Sequence, residues 1–531
     1  RLELLKRCDV FGFNKSLLES VQDECESKLG VSIDKFAKSA LNSREVDQSF
    51  YDFSIMKSMY KDNEQWNDIE DLIKAFNYNE IWTSAQIEVV KYHSALISAF
   101  CARYPSRLTA EWVNVSSQLL FYNVIVDVPY EILPQVHIER SENAFFVLNT
   151  IAKNKSLKLK SEEVIDVIKF VSELIHSRHV DFINLITSGG HGIYKLLLRI
   201  LRIAFDLIKE DTSNLVQNSS ILIEIFDLVI AKATRNLFVK LQNEVYLMRT
   251  DKHYKAANME EQFENLTHVM SILKVFVQFN CPRSFHEDMA RIVSNHGTVK
   301  SLLNLYKNSH LFTVNGELLF AELSVVLILE FLIFYALSQE FIDSGLYMVL
   351  AGSMVSGPIR NGTTSLRKSE QHYHLWVYGL LPLAVSTFQR VGDDVPPEIV
   401  LFLETFHKQI EACFSTWGGD HRQVQISTAL VLETRQLLEI HLFILKLQLK
   451  AGSSWFANSQ IPAELLLGLE SDNARADFVE KVKNLLKHPK YLSLRLVPSL
   501  AEEKRLFESE LKHAIFSAGL TTEIRELVEL L

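Results

Sequence analysis

The sequence predicts an all-α protein, and three observations lead to that prediction. Glycine (18) and proline (11) are together about half as frequent as in an average protein, so turns are scarce and helices are long. Apolar residues recur at helical spacing along most of the chain. The one segment that alternates as a strand would, residues 121–130, contains Pro129 and has helical neighbours, so it is predicted to be a helix end.

The length and the charge limit the kind of protein. At 531 residues and 61.0 kDa the chain exceeds the roughly 250 to 300 residues that one compact core supports, so several domains or an elongated array are expected. The hydrophobic content of 48% is too high for a disordered scaffold. A formal net charge of -10 gives no electrostatic reason to bind phosphate backbones, so direct nucleic-acid binding is not predicted.

The five cysteines are far apart and form no C-x-x-C pair: Cys8, Cys25, Cys101, Cys281 and Cys413. This pattern suits a reducing compartment and argues against a disulfide framework and a zinc site.

The chain begins without Met and without an apolar signal-peptide core, and its last residues carry no stop signal. Both ends are therefore expected to be cuts within a longer protein.

Helices are predicted near the start of the chain at residues 16–29, 63–76, 80–104 and 106–129. Asn63 is a suitable N-terminal cap for the second of them. Pro105 separates the last two, which would form an antiparallel pair.

Further helices are predicted from Ser161, from Ile193, over residues 215–233, after a capping box of Asn258 with Glu261, and after a second box of Ser284 with Glu287. The helix from Ser161 has an apolar face at spacings of three and four residues. The helix from Ile193 is apolar nearly all round, which predicts an interior position. Gly297 is predicted to end the helix that follows Ser284.

The most apolar twenty residues of the chain are 318–337, and they carry only two charges, Glu322 and Glu330. A helix of this kind is either a membrane span or the middle layer of a helical stack. Each glutamate would cost about 2 to 3 kcal/mol in hydrocarbon, and no belt of aromatic and basic residues flanks the segment. A buried helix through residues 318–337 is therefore predicted, with no membrane span.

Residues 356–371 form the one long polar, basic, turn-rich segment, so they are the predicted boundary. The predicted division is an N-terminal part of the array at residues 1–355, the polar loop at 356–371, and a C-terminal part at 372–531. Shortly after the loop, Pro382 lies inside a helical pattern and predicts a kink or a break.

Two long helices at residues 397–417 and 421–450 follow, separated by a turn at Gly418 and Gly419, and they predict a helical hairpin. A third capping box, Ser499 with Glu502, begins one of the last helices.

Pairs of helices recur about every 35 to 50 residues, as in HEAT and armadillo stacks. The prediction is a superhelical α-solenoid of HEAT/armadillo-like helix pairs, with a compact multi-helix globule as the alternative.

A search for catalytic and metal-binding motifs gives weak candidates. The turn Gly189-Gly190-His191-Gly192 has no preceding strand, and the chain has neither a G-x-S-x-G elbow nor a Walker lysine, so the turn is interpreted as a helix break. The candidate metal-binding histidines are His176 with His179, His372 with His374, and His286. None has the spacing and third ligand of an H-E-x-x-H site. His441, on an apolar face, is interpreted as a core histidine.

The sequence therefore predicts no catalytic, cofactor-binding or metal-ligating residue, no cofactor and no enzyme activity.

A basic cluster remains, Arg360, Arg367 and Lys368 beside Ser365 and Ser369. It would bind an acidic partner, be phosphorylated, or be a solvated mobile loop.

The aromatic residues are 33 Phe, 16 Tyr and 6 Trp, and they are expected to fill the interior between helices. Grooves between hairpins would accept a phenylalanine or an amphipathic helix of a partner.

Long apolar helices with few prolines, an acidic balance and degenerate helix pairs, above all residues 315–350 and 397–450, resemble the large inner-ring scaffold nucleoporins of the nuclear pore, in their helical C-terminal portion. The resemblance implies an α-solenoid at the nuclear pore complex and nuclear envelope that binds linker nucleoporin helices, with Phe-Gly repeats as a further partner. It implies a structural role that supports nucleocytoplasmic transport of protein and mRNA. It carries over no motif residue.

Two other interpretations remain open. A soluble transport receptor of the karyopherin type would have an acidic concave surface and bind a small GTPase. A HEAT-repeat regulator of membrane traffic, or an accessory domain to an enzyme, would have the same helical pattern. Both would be cytoplasmic or nuclear, and both would act on protein partners.

Overall fold

The structure, a computed structural model, describes residues 161–176, 182–188, 193–251, 253–254, 259–279, 281–366, 368–391, 396–418, 426–451, 495–506 and 517–526, with isolated positions elsewhere. The predicted helices at 16–29, 63–76, 80–104 and 106–129 lie outside these ranges, apart from isolated positions, and the segment 121–130 lies wholly outside them. The chain divides into two compact units, Arg1–Ile225 with Gln278–Cys281, and Phe226–Val277 with Pro282–Leu531.

The residues 356–371 and both of their flanks fall in the second unit. The three-part division at 1–355, 356–371 and 372–531 stays a prediction.

The described helices of the first unit are α1 (Ser161–His176), α2 (Phe182–Ser188), α3 (Ile193–Ile208), α4 (Thr212–Gln217) and α5 (Ser219–Ile225). The predicted apolar face of α1 is confirmed, because Val164, Ile168 and Val171 are all at most 2% exposed. This face packs against α3. On α3 itself, Phe205 meets Phe279 edge to face, with ring centroids 5.7 Å apart.

The expectation that the helix from Ile193 is interior on all sides is only partly right. Leu197, Leu201 and Phe205 are fully buried on α3. Arg199 and Arg202 are exposed on another side of the helix. The charged residues at spacings of three and four define a solvent face, so α3 is amphipathic.

The second unit begins with a π-helical segment, Phe226–Lys232, here called π1. The helices that follow are α6 (Ala233–Thr250), α7 (Met259–Phe276), α8 (Arg283–Asn295), α9 (Thr298–Asn308), α10 (Leu319–Phe331), α11 (Tyr335–Asp343), α12 (Leu346–Gly352), α13 (Gly357–Arg360) and α14 (Glu370–Leu375). A second π-helical segment, π2 (Trp376–Leu380), leads into α15 (Leu381–Val391), α16 (Pro396–Gly418), β1 (Ile426–Ser427), α17 (Thr428–Ala451), β2 (Leu496–Val497) and α18 (Ala501–Leu506). The predicted fold class, an all-α solenoid of stacked helix pairs, is confirmed.

The predicted helix at 215–233 differs from the observed one at its end. The helical course continues past Ala233 through α6 to Thr250. No glycine or proline occurs in α6, so the chain has no residue that would stop the helix at Ala233.

The buried position predicted for the central apolar stretch is confirmed for α10. This helix packs against α7, α9 and α15 and against π2. Its two charged residues, Glu322 and Glu330, are half-buried. Burial raises the pKa of Glu330, and Lys274, whose Nζ lies 3.8 Å from Oε1, opposes that shift. Among the described helices, none combines the length and the apolar character that crossing a bilayer requires.

The prediction of one continuous helix through residues 318–337 is wrong. α10 ends at Phe331, and α11 begins at Tyr335. Other groups satisfy the carbonyls released at the break: Arg390 Nη1 donates to the carbonyl of Ile333 at 3.0 Å, and Ser338 Oγ donates to that of Leu332 at 3.2 Å. Residues 318–337 contain no glycine or proline, and Arg390 is 57 positions from Ile333, so the local sequence does not signal the break.

The irregularity predicted at Pro382 takes the form of a π-helical turn. Proline has no N–H and its ring crowds the preceding turn. In π2 the Leu381 N–H donates to the carbonyl of Trp376, five residues back, and the helix then continues as α15. Gly379 of π2 packs closely on α10, since a Cβ at this position would lie 3.2 Å from Val325 Cγ1.

The predicted hairpin exists, with a later start for its second helix. α16 packs against α17, which begins at Thr428 and not at His421. The two residues before α17 pair in parallel with β2, Ile426 with Leu496 and Ser427 with Val497. At residues 426 and 427 a long-range strand pairing thus takes the place of the predicted helix, and residues 421–425 lie outside the described residues.

Three caps are predicted around α7 and α8, and two of them can be checked in the structure. Gly297 ends the helical run as predicted, with φ at +65°. The box of Ser284 with Glu287 is wrong, because α8 begins at Arg283 and places Ser284 inside the helix. There Glu287 accepts from Arg283 Nε at 2.9 Å. Asn258, the first residue of the other box, lies outside the described residues.

Candidate partner-binding cleft

A cleft of about 730 Å³ opens in the second unit, between four segments of the chain. Its walls are the loop before α14, one face of the C-terminal half of α16, the start of α17, and the segment from β2 to α18. Its lining residues are Gly362, Thr363, Thr364, Ser365, Leu366, Lys368, Glu370, Tyr373, Gln409, Ala412, Cys413, Ser415, Thr416, Ser427, Leu430, Glu433, Val497, Pro498 and Lys504.

Glu433 forms the floor of the cleft and is only 1% exposed. Its Oε2 accepts from the Tyr373 hydroxyl at 2.7 Å. Its Oε1 accepts from Trp376 Nε1 at 2.7 Å and from Gln409 Nε2 at 3.2 Å. Burial raises the pKa of the Glu433 carboxyl, while these donors oppose the shift. Helices α14, α16 and α17 and segment π2 thus converge on one carboxyl group.

The loop before α14 is attached to this floor. Thr364, 5% exposed, donates from Oγ1 to Gln409 Oε1 at 2.6 Å. Gly362 comes so close to α16 that a Cβ would lie 2.7 Å from the Lys408 carbonyl oxygen, and its φ is +64°. Ser356, at the other end of the segment, is fully buried and hydrogen-bonded to the Tyr306 hydroxyl at 2.9 Å. These three positions anchor part of the segment 356–371 to the helices beside it. The interpretation of the basic cluster as a solvated mobile loop stays a prediction.

A second buried group of polar side chains lies one residue further along α17. Thr434 Oγ1 accepts from Trp417 Nε1 at 2.9 Å and donates to the Leu430 carbonyl at 2.7 Å. Cys413 Sγ lies 3.5 Å from the same hydroxyl. Burial raises the pKa of the Cys413 thiol well above its ordinary value, which keeps it in the unreactive thiol form.

The rim of the cleft is charged and exposed. Lys368 lies on the loop side and Lys504 on α18. Lys504 Nζ is 3.5 Å from Glu370 Oε1, and both side chains are about half exposed. A surface pair of this kind contributes at most about 1 kcal/mol, so Lys504 remains available to other anions.

Ser499 and Glu503 fix the start of α18. Glu503 Oε2 accepts from the Ser499 N–H at 2.7 Å, from the Ser499 hydroxyl at 2.8 Å and from the Leu500 N–H at 3.1 Å. The sequence placed a cap here correctly but paired Ser499 with Glu502. That pairing is wrong because the acid four residues on from Ser499 makes the contacts.

We expect Glu503→Ala to destabilise the protein by about 1 to 2 kcal/mol, because it leaves two backbone N–H groups and a hydroxyl without their acceptor. Urea denaturation followed by tryptophan fluorescence would measure the loss. The matched control is Arg505→Ala, at an exposed position of the same helix, for which we expect a change within about 0.5 kcal/mol. Equal effects of the two substitutions would show that Glu503 is not the cap.

The structure shows which neighbouring backbone and side-chain groups the candidate histidines contact. His176 Nδ1 lies 2.7 Å from the Ser172 carbonyl, and His372 Nδ1 lies 2.7 Å from Ser369 Oγ. His286 packs edge to face on Phe334, with centroids 5.8 Å apart. His441 is 6% exposed on α17, and its predicted burial is confirmed. Within the part of the chain that the structure describes, no three His, Cys, Asp or Glu residues are grouped to hold a metal ion.

The other candidates are His179, the turn at residues 189–192 and Arg367, all of which lie outside the described residues. Sequence reasoning missed Glu433, Gln409 and Thr364. The feature of the sequence that could have indicated these residues is the pair Glu433 and Thr434, an acid and a threonine inside an apolar helix. That signal is weak, because most acids on helices face solvent.

The fold and the cleft define the class of the chain: an all-α solenoid with a polar cleft between its helices. Residues 167–526, more than half of the chain, match the family described as the nuclear pore protein NUP188 C-terminal domain. The chain belongs to this family. The nucleoporin resemblance and the predicted localisation at the nuclear pore complex are confirmed.

Individual relatives agree with this assignment. Nucleoporin NUP188 of Saccharomyces cerevisiae is 26% identical over 536 residues, which covers 98% of this chain and 32% of the yeast protein. Nucleoporin nup184 of Schizosaccharomyces pombe is 20% identical over 387 residues, covering 70% of this chain and 23% of that protein. The chain thus spans a third or less of the length of these relatives.

A solved structure shares the fold. A fragment of Nup188 from Myceliophthora thermophila superimposes with a TM-score of 0.50 at 19% identity, covering 69% of this chain and 98% of the fragment.

Proposed function

We propose that this chain is a structural, non-enzymatic part of the nuclear pore scaffold that binds segments of other nuclear pore proteins. The match of residues 167–526 to a nuclear pore family is the observation that carries the proposal. Linker nucleoporin helices in grooves between hairpins are the partners we propose, and Phe-Gly repeats are a further one. By holding such segments, the chain would maintain the pore architecture on which transport depends.

The packing of the second unit supports a scaffold role. α10 lies in contact with three other helices, and large side chains such as Trp376 and Phe402 stack on each other deep in the interior. Trp376 is fully buried, and its ring centroid is 5.7 Å from that of Phe402. A dense interior of this kind resists deformation, as a load-carrying element requires.

The ionisable groups of the cleft floor support a structural role in preference to catalysis. Glu433 uses both oxygens to accept from three side chains on different elements. A carboxyl engaged in this way holds helices together and has no geometry for taking a substrate proton. The Cys413 thiol is buried and kept protonated.

The test is to follow the full-length protein, fluorescently tagged, in living cells and in purified pore complexes. We expect a nuclear-rim signal and co-purification with other nuclear pore proteins. A diffuse signal in nucleus and cytoplasm, together with binding of a small GTPase, would contradict the scaffold proposal and favour a soluble transport receptor.

A further inference from the structure

The exposed rim of the cleft above Glu433 carries two lysines, Lys368 and Lys504, and one glutamate, Glu370. Lys368 is exposed, and within the described residues it has no ionic partner. Lys504 has only the loose contact with Glu370. The Ser427 hydroxyl oxygen accepts from the Leu430 N–H at 3.1 Å, and among the described residues no group accepts the hydroxyl's own hydrogen. The lining is therefore suited to a ligand that is rich in acceptors.

The side-chain acceptors at the buried floor of the cleft are in use. Both oxygens of Glu433 accept from Tyr373, Trp376 and Gln409. The amide oxygen of Gln409 accepts from Thr364. A ligand with basic groups would have to displace these bonds in the interior, where an unmade hydrogen bond is costly.

One part of the lining is apolar. Leu430 is 5% exposed, and Leu366, Val497 and Pro498 are half-buried around the same space. A volume of about 730 Å³ lies within the range of sites that hold a drug-sized group, roughly 300 to 1,000 Å³. A few consecutive side chains, one of them apolar, would fit this space.

We propose that this cleft binds a short acidic segment of another polypeptide, whose carboxylates pair with Lys368 and Lys504 and whose apolar side chain packs against Leu366, Leu430 and Val497. This proposal rests on the scaffold function proposed above and specifies the chemistry of one partner.

The lining holds two lysines and two glutamates. Glu433 is buried and engaged by three donors, and Glu370 lies 3.5 Å from Lys504, so Lys368 is the rim charge that these acids leave uncompensated. Complementary charge of this kind selects the partner and fixes its register.

The test uses an array of overlapping peptides that covers the nuclear pore proteins of the same organism, probed with the full chain. We expect the bound peptides to be acidic with an apolar residue. Affinities for the strongest of them are then measured by fluorescence anisotropy. Binding by neutral or basic peptides only, or by no peptide, would overturn the proposal.

Variants locate the site. Lys368→Glu with Lys504→Glu is expected to weaken binding of the acidic peptides by about tenfold or more, since like charges would then face each other. The matched control is Lys300→Glu with Lys307→Glu, the same charge change at exposed positions of α9 outside the cleft, for which we expect little loss. Thr416→Trp, at an exposed position of the lining, should block binding without changing charge. Equal loss in the cleft and control charge variants would show non-specific attraction and contradict the site.

The outcomes separate this proposal from the scaffold function. If the Lys368→Glu, Lys504→Glu protein still assembles into pores and still binds the same acidic peptides, the cleft proposal fails and the scaffold proposal stands. If the unaltered protein does not localise to pores, the scaffold proposal fails on its own test.

Discussion

Glu433→Ala is expected to lower the free energy of unfolding by about 3 to 5 kcal/mol, the largest effect of any single substitution at the cleft. The substitution leaves the Tyr373 hydroxyl and the indole N–H of Trp376 without their acceptor in the buried floor. It also leaves the Gln409 amide with only its 3.5 Å contact to the Thr364 carbonyl. It also opens a cavity where α14, α16 and α17 meet. Equilibrium denaturation followed by the fluorescence of Trp376 and Trp417 would measure the loss in free energy of unfolding.

Two comparisons make the result specific. Glu439→Ala, on the same helix, removes only a partner of Arg435 at 3.1 Å near the surface, so it should cost about 0.5 kcal/mol or less. Glu433→Gln keeps the shape but turns one acceptor oxygen into an N–H₂ group that faces a donor. Its cost should lie between the other two. If Glu433→Ala costs no more than Glu439→Ala, the floor of the cleft does not hold these helices together.

The pH dependence of Glu433→Gln provides a second test. Burial holds the pKa of Glu433 above its ordinary value in the folded state, so folding takes up a proton at pH values between the unfolded and the folded pKa. The contribution of Glu433 to stability is therefore complete at acid pH and falls as the pH rises through the folded pKa. Glutamine does not titrate, so the stability difference between wild type and Glu433→Gln should shrink with rising pH. A difference that grows with pH would contradict the raised pKa.

Gly362→Ala is expected to destabilise the protein by about 3 kcal/mol, from a left-handed backbone and a steric clash together. The new Cβ would lie 2.7 Å from the Lys408 carbonyl oxygen and 3.0 Å from Lys408 Cβ, and α16 cannot yield because its backbone is helical. The loop must therefore move away and weaken the bond between Thr364 and Gln409. Hydrogen exchange of residues 359–366 should become faster.

Gly297→Ala is the matched control for Gly362→Ala. Its φ of +65° is nearly the same as that of Gly362, but a Cβ there would have no atom within 4 Å. It should cost only the backbone strain, about 1 kcal/mol. Equal costs for the two substitutions would show that the close approach of the loop to α16 is not present in solution.

Much of the fold can be predicted from spacing alone. The buried face of α1, the inner position of α10 and the pairing of α16 with α17 all follow from apolar residues at intervals of three and four. These features depend on interactions within one helix or between neighbouring helices, which the local sequence encodes.

The features that the sequence did not predict depend on distant residues. The break after Phe331 is stabilised by Arg390, and the start of α17 is delayed because Ile426 pairs with Leu496. The cleft is the extreme case: Tyr373 and Glu433 are 60 positions apart, and neither carries a local signal of its partner. A buried acid in an apolar helix indicates that hydrogen-bond donors lie near it. The acid alone does not show which residues supply those donors.

Carbodiimide crosslinking of intact nuclear pore complexes would identify what occupies the cleft, since this reagent joins a lysine amine to a carboxylate in contact with it. We expect Lys368 and Lys504 to be joined to aspartates or glutamates of another nuclear pore protein, in addition to the contact of Lys504 with Glu370 within the chain. Crosslinks from these lysines to Glu370 alone, or to proteins outside the pore, would contradict this expectation.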